Sequence, residues 1–145
     1  MFGYTVPVEL PDIVIDTNVF IAALRSRRGA SFALFELIDA GVFRSNLSLA
    51  LALEYRAVGM RLLPSMPFGV DYLDSALDFV FSASEYQEIY FRWRPCLPDP
   101  GDDMVLELAI AAGGATIVTF NVKDFRGADR FGVRVCTPGE FLREV

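Results

Sequence analysis

Apolar residues in this chain fall into short solid runs that alternate with longer stretches where they recur every three or four positions. Short runs of this kind suit buried strands, and the longer spacing suits helices with one apolar face. The first run, DIVID at residues 12–16, reads as a buried strand, and Phe20, Ile21 and Leu24 then suit a helix. Asp16 therefore sits where a strand gives way to a helix, the edge at which open α/β sheets place their ligands. Phe32, Phe35 and Ile38 mark a second helix ending near Gly41, and VFRS from Val42 is short enough for a second strand. The segment NLSLALALEYRAVGM predicts a third helix, with Asn46 or Ser48 as its cap. Glu54 falls in the middle of that helix, and periodicity leaves open whether it faces solvent or a polar cleft.

A break from Pro64 to Gly69 precedes Val70, Leu73, Leu77 and Val80, which are spaced for one helix face. EIYFRW at residues 88–93 reads as extended, and PCLPDPGDD is rich in turn formers. The next helix, MVLELAIAAGG, is apolar almost all round and should be largely buried. ATIVTF from Ala115 predicts a central strand, NVKDF a polar turn, and FGVRVCT a last strand. Thr137-Pro138-Gly139-Glu140 then has the pattern of a helix start, with Thr137 as cap. This alternation predicts a three-layer α/β/α domain with a mostly parallel central sheet, occupying residues 1–145 as one domain.

Composition narrows the function classes. Of 145 residues, 53% are hydrophobic, with 13 Phe and 5 Tyr, which excludes a disordered chain and leaves apolar surface for a subunit interface. No apolar run approaches the roughly 18 residues of a membrane span, and residues 1–10 lack the basic and apolar blocks of a secretion signal. The expected location is the cytoplasm, with no membrane partner. Cys96 and Cys136 stand far apart and histidine is absent, so thiolate/imidazole zinc sites and histidine-based catalysis lose their usual groups. The net charge of −6 argues against a broad face that neutralises nucleic acid, but not against a site where metal ions meet the phosphate.

Four acids occupy comparable positions: Asp16 after the first strand, Glu54 on a helix, Asp103 at a helix start and Asp124 beyond the strand ending at Phe120. Glu107 stands four residues after Asp103, on the same helix face. Carboxylates packed together repel one another and stay ionised where a cation offsets the repulsion. An oxygen-rich site of this kind favours Mg²⁺ or Mn²⁺, and such ions suit phosphodiester hydrolysis. The bland reading makes Asp103 a helix cap, Asp99 and Asp102 turn residues, and Glu54, Glu107 and Asp124 solvent-facing. Repeated placement at strand ends favours a site.

Four blocks of the chain in order, VIDTNVFIAAL, SLALALEYRAV, PDPGDDMVLELAIAAGGATIVTFNVKDF and VCTPGEFL, resemble the PIN-domain family, in particular its VapC-like toxins of prokaryotic toxin-antitoxin pairs. The resemblance implies a Mg²⁺- or Mn²⁺-dependent endoribonuclease acting on RNA. It matches Asp16, Glu54, Asp103 and Asp124 to the family's acidic ligands. Asn121 takes a position that is often polar or acidic in the family and would hold water behind the ligands, and Asn18 would orient Asp16 or bind phosphate or metal-bound water, with helix capping as its bland role. Asp102 competes with Asp103, which is preferred for its distance from Glu107 and from the GGA segment. Asp99 would be an outer ligand or a turn residue. Many relatives have a further aspartate where Gly101 stands, and Gly or Arg where Phe120 stands; neither change removes a primary acid. Expected partners are an antitoxin protein and a second copy of the chain, as a homodimer.

Two rivals remain at this level. A phosphatase of the D-x-D type would need a second acid where Asn18 stands. The alternative function is a weakly active or inactive PIN-like binding module that acts through an antitoxin or self-association, with Phe68, Tyr72, Tyr86 and Tyr90 as aromatic interface candidates.

Overall fold

The computed structural model describes residues 9–89, 97 and 99–145. Strand β1 (Asp12–Ile15) lies at the centre of a five-stranded sheet. It is flanked on one side by β2 (Arg44–Leu47) and β3 (Glu85–Tyr86), and on the other by β4 (Thr116–Val118) and β5 (Val135–Cys136). Every pairing is parallel, with Ile13 opposite both Ser45 and Thr116, and Val118 opposite Cys136. Ile13, Val14, Ile15, Ile117 and Val118 are all buried, which accounts for strands that read as solid apolar runs rather than alternating ones. Because the chain goes from β1 to one neighbour first and reaches the other later, the strand order reverses at β1. Loops leaving β1 and β4 part in opposite directions there and open a crevice at the carboxyl edge.

Helices α1 (Thr17–Arg25), α2 (Ala30–Glu36), α3 (Leu49–Leu62), α4 (Val70–Ala83), α5 (Pro100–Ala111) and α6 (Pro138–Leu142) complete a three-layer α/β/α arrangement. In α5, Val105, Leu106, Leu108 and Ala109 are buried, and the helix packs across β1, β2 and β4. Tyr55 of α3 is buried, donates its hydroxyl to the Ile15 carbonyl and stacks on Phe20 of α1 at 4.4 Å between centroids, 4° from coplanar. Such a ring pair contributes about 0.5–1.5 kcal/mol beyond its buried area. It also fixes the rotation of α3 about its own axis. Gly59 lets α4 approach closely, since a Cβ there would stand 2.7 Å from Leu73 Cδ1. Among the described residues, no helix is long and apolar enough to cross a membrane.

Several boundaries differ from the sequence expectation. The second strand starts at Arg44 rather than Val42, and the cap of α3 is Ser48, whose Oγ accepts from Leu51 N–H at 3.1 Å. Asn46 instead lies inside β2, where its amide donates to Asp12 Oδ1 and the Ile13 carbonyl. Strand pairing near residue 88 is found earlier, at Glu85–Tyr86, while residues 90–93 of the expected extended stretch lie outside those described, as does Cys96. Only Val135 and Cys136 of FGVRVCT pair as a strand, because left-handed Gly127 and Gly132 curl residues 128–131 into a 3₁₀ turn. Cys136 is buried. At α6 the capping box forms as the sequence predicts, Thr137 and Glu140 each bonding the other's backbone N–H.

Candidate active site

At the carboxyl edge, beside the point where the strand order reverses, an open cavity of about 640 Å³ is lined by Asp16, Glu54, Asp99, Asp102 and Asp124. Asp16 follows β1 directly and caps α1. Its N–H donates to the Val118 carbonyl at 2.9 Å, tying it to the end of β4, and its Oδ1 accepts from Thr17 N–H at 2.8 Å. Its Oδ2 accepts from the Thr119 hydroxyl at 2.7 Å, with the Asn18 amide at 3.5 Å. Thr119 is itself fully buried, and its Oγ1 also accepts from Asn121 N–H at 3.0 Å and Asn18 Nδ2 at 3.3 Å. Asn18 closes the network by accepting from Phe120 N–H at 3.3 Å. Burial pushes the Asp16 carboxyl above the usual carboxylate range; hydrogen bonds from Thr119 and Thr17 pull it back, and the charges of Glu54 and Asp124 push it up again.

Glu54 faces the cleft rather than open solvent. Tyr55, its neighbour in α3, is pinned against β1, so the next position round the helix is presented to the crevice. There Glu54 Oε2 accepts from the Thr17 hydroxyl at 2.5 Å. Asp124 reaches the same cavity from the 3₁₀ turn Val122–Phe125 that follows β4.

The first turn of α5 settles which of two adjacent aspartates lines the cavity. Asp99 is the N-cap, its Oδ1 accepting from Gly101 N–H at 2.8 Å, and Pro100 occupies the first turn. That phase directs Asp102 into the cavity. Asp103, preferred at the sequence level, does not line it; its Oδ1 accepts from Leu97 N–H at 3.0 Å. Nor is Asp103 the cap of its helix, and Glu107, one turn on, is also absent from the cavity wall. One residue is 100° of helix rotation, so a choice between neighbours is a choice between faces. Burial, and then repulsion from Asp16, Asp99, Asp124 and Glu54, push the Asp102 carboxyl up to about 6. Gly101 sits against this group: a Cβ there would meet Asp99 Oδ1 at 3.3 Å and Glu54 Oε1 at 3.4 Å.

The structure thus brings Asp16, Asn18, Glu54, Asp99, Asp102, Asn121 and Asp124 to one cavity, and leaves Asp103 and Glu107 outside it. Thr17 and Thr119, which sequence reasoning passed over, hold two of the acids in place. Among curated proteins, none matches the chain. The sequence profile of the PIN domain, however, matches residues 12–123, from the start of β1 to the turn that carries Asp124. The chain belongs to the PIN-domain family. Its fold is also similar to that of a solved chain from VapBC2 of Rickettsia felis, a complex crystallised bound to a DNA fragment from its promoter. That match has a TM-score of 0.58 and 17% identity, and covers 86% of this chain and 96% of that one. The sequence match and the structural match thus agree on a PIN fold.

Proposed function

We propose that this PIN domain is a metal-dependent endoribonuclease, the toxin of a toxin-antitoxin pair. The observation that carries this reading is the convergence of Asp16, Glu54, Asp102 and Asp124, from four separate segments, on one open cavity. None of the ion pairs among the described residues neutralises any of the four.

The donor set is all oxygen, which suits a hard divalent cation. Among the described residues, no group of three or more acidic side chains is already arranged to hold a metal ion. An open, acid-lined cleft fits Mg²⁺ or Mn²⁺ nonetheless, since Mg²⁺ retains several waters and binds through one or two carboxylates rather than a full protein cage. Asp16 and Asp102 would hold the ion, with Glu54 and Asp124 completing the set. A bound ion would supply an activated water and offset the charge that grows on a phosphodiester during hydrolysis. The chain's own contribution is placement. Thr119, Thr17 and Asn18 fix the Asp16 carboxylate, Thr17 orients Glu54, and the Asn121 side chain stands at the rim with its backbone tied to Thr119.

Exposed apolar side chains support a protein partner, either an antitoxin or a second copy of the chain. Leu49 and Leu53, one turn apart on α3, are 55% and 57% exposed, and Phe81 with Tyr86 adds an exposed aromatic pair. Of the other aromatic candidates, Phe68 and Tyr72 lie against each other at 4.6 Å, and Tyr90 is outside the described residues.

The test incubates purified protein with single-stranded and structured RNAs in Mg²⁺, Mn²⁺ or chelator, beside an Asp16→Asn variant of matching circular dichroism. Cleavage that needs the metal and is lost in the variant is the expected result. The same background from both proteins under every metal condition would overturn the nuclease reading and leave the protein-binding module.

A further inference from the structure

The rim of the acidic cavity continues into a second one of about 770 Å³, and the two share Phe120 and Asn121 as lining residues. The second cavity lies beyond β4, over the 3₁₀ turns at residues 122–131 and the start of β5, and is walled by Lys123, Arg126 and Arg134 with Asp129 as its acid. Arg134 is engaged by Glu144 through two contacts of 2.8 Å. Lys123 and Arg126 form no ion pair among the described residues, and both are exposed. A chain with net charge −6 has therefore placed two uncommitted cations directly beside this acidic cleft.

Phe120 stands on the divide. It is 49% exposed, so its ring is not held by core packing, yet its backbone is anchored to the catalytic network through Asn18. A half-exposed aromatic on a fixed backbone, between a cavity that sets five carboxylates against Arg25 and one that sets Lys123, Arg126 and Arg134 against Asp129, suits a flat unstacked base whose backbone phosphates continue past it.

We propose that single-stranded RNA leaving the catalytic cleft crosses the divide between the two cavities, with one base stacked on Phe120 and the phosphates beyond it held by Lys123 and Arg126. This rests on the ribonuclease reading and adds a direction of travel and a substrate form to it. The acids would hold the reacting phosphate through a bound ion, while affinity for the flanking nucleotides would come from the neighbouring cavity. The arrangement also reconciles an acidic protein with a polyanionic substrate, because binding charge is concentrated along one short path.

The experiment maps cleavage of a twelve-nucleotide single-stranded RNA by the full chain in Mg²⁺. It then repeats the kinetics with copies carrying a single abasic nucleotide at each position. In the unaltered protein one position near the cleavage point should raise KM about fivefold or more, as loss of one stacked base predicts. Phe120→Ala should raise KM on the intact RNA by a similar factor, leave kcat within about twofold, and abolish the sensitivity to that abasic position; Phe120→Trp should restore it. Lys123→Ala combined with Arg126→Ala should lower the salt dependence of 1/KM by a slope of roughly 1 to 1.5, the contribution of two phosphate contacts on a single strand. Cleavage with an unchanged KM and an unchanged abasic profile in Phe120→Ala would overturn this path and leave the ribonuclease standing. Absence of any metal-dependent cleavage by the unaltered protein would overturn both.

Discussion

On the sheet side of the cleft, Asp16 is held by donors from Thr17, Thr119 and Asn18, and its backbone is bonded to the neighbouring strand. On the helix side, Asp102 stands in the first turn of α5, where none of the described side chains donates to its carboxylate, and repulsion from four other acids adds to the cost of its charge. The two aspartates have the same chemistry and opposite support. Hydrogen bonds made by the folded chain offset part of the burial cost of the first as a carboxylate, whereas the second is left with unbalanced charge that only something outside the chain can offset. That difference separates the part of the site that the fold has finished from the part that a bound cation would complete.

The largest effect is expected from replacing, one at a time, the two neighbouring aspartates on α5. Asp102→Ala should reduce metal-dependent RNA cleavage on the order of 100-fold or more, as removal of a ligand does. Asp103→Ala should leave cleavage within about threefold but cost roughly 1 kcal/mol by orphaning the Leu97 N–H, seen as a Tm lower by a few degrees. Cleavage that survives Asp102→Ala and is lost in Asp103→Ala would make Asp103, as spacing suggested, the helix-side acid of the site.

The reason spacing favoured Asp103, which does not line the cavity, is instructive about what a sequence carries. Asp16 and Asp124 were legible because parallel strands deliver their following residues to one edge, whatever the details of the loops. Helical positions need a phase as well as a location. For Asp102 that phase is set by where α5 begins, and Asp99-Pro100 is a cap followed by a first-turn proline, a start signal present in the chain but overshadowed by the apolar run from Met104. Glu54 needed the contact of Tyr55 with β1, a long-range fact that local periodicity cannot contain. Thr119 left a fainter trace. A hydroxyl at the end of an otherwise apolar central strand must find a partner when buried, and the available partner was the acid at the end of the adjacent strand.

Weakening the finished side should cost less than removing an acid, but more than any change at the surface. Thr119→Val keeps the shape of the side chain and deletes the hydroxyl that donates to Asp16 and accepts from Asn121 and Asn18. Loss of support behind a metal ligand typically costs about 10–100-fold in metal affinity or activity. The expected signature is a higher Mg²⁺ concentration for half-maximal cleavage with KM for RNA unchanged, and recovery in Thr119→Ser. A variant of equal stability with an unaltered metal requirement would mean that Asp16 does not depend on this bond, and the contrast between the two sides would lose its first half.

The smallest effect concerns the unfinished side without any substrate. Asp102 rises from 3.8 to about 6 on folding, and Asp16 also rises. A carboxyl whose folded pKa is raised favours the folded state fully below its unfolded value, and that contribution is lost as pH increases through the folded value. Metal-free protein should therefore lose stability from these groups between about pH 4 and pH 7. For a fully buried group the Asp102 shift alone would correspond to about 3 kcal/mol, but this carboxyl is partly exposed and solvent screening reduces the figure to about 1 kcal/mol. In chelator, Asp102→Asn should match the unaltered protein near pH 4 and melt a few degrees higher at pH 7. Added Mg²⁺ at pH 7 should raise the Tm of the unaltered protein more than that of the variant, closing the gap, because the cation supplies from outside what the substitution supplies by removing the charge. If the two melting curves stay parallel across the whole pH range, Asp102 is not the acid left waiting for a cation.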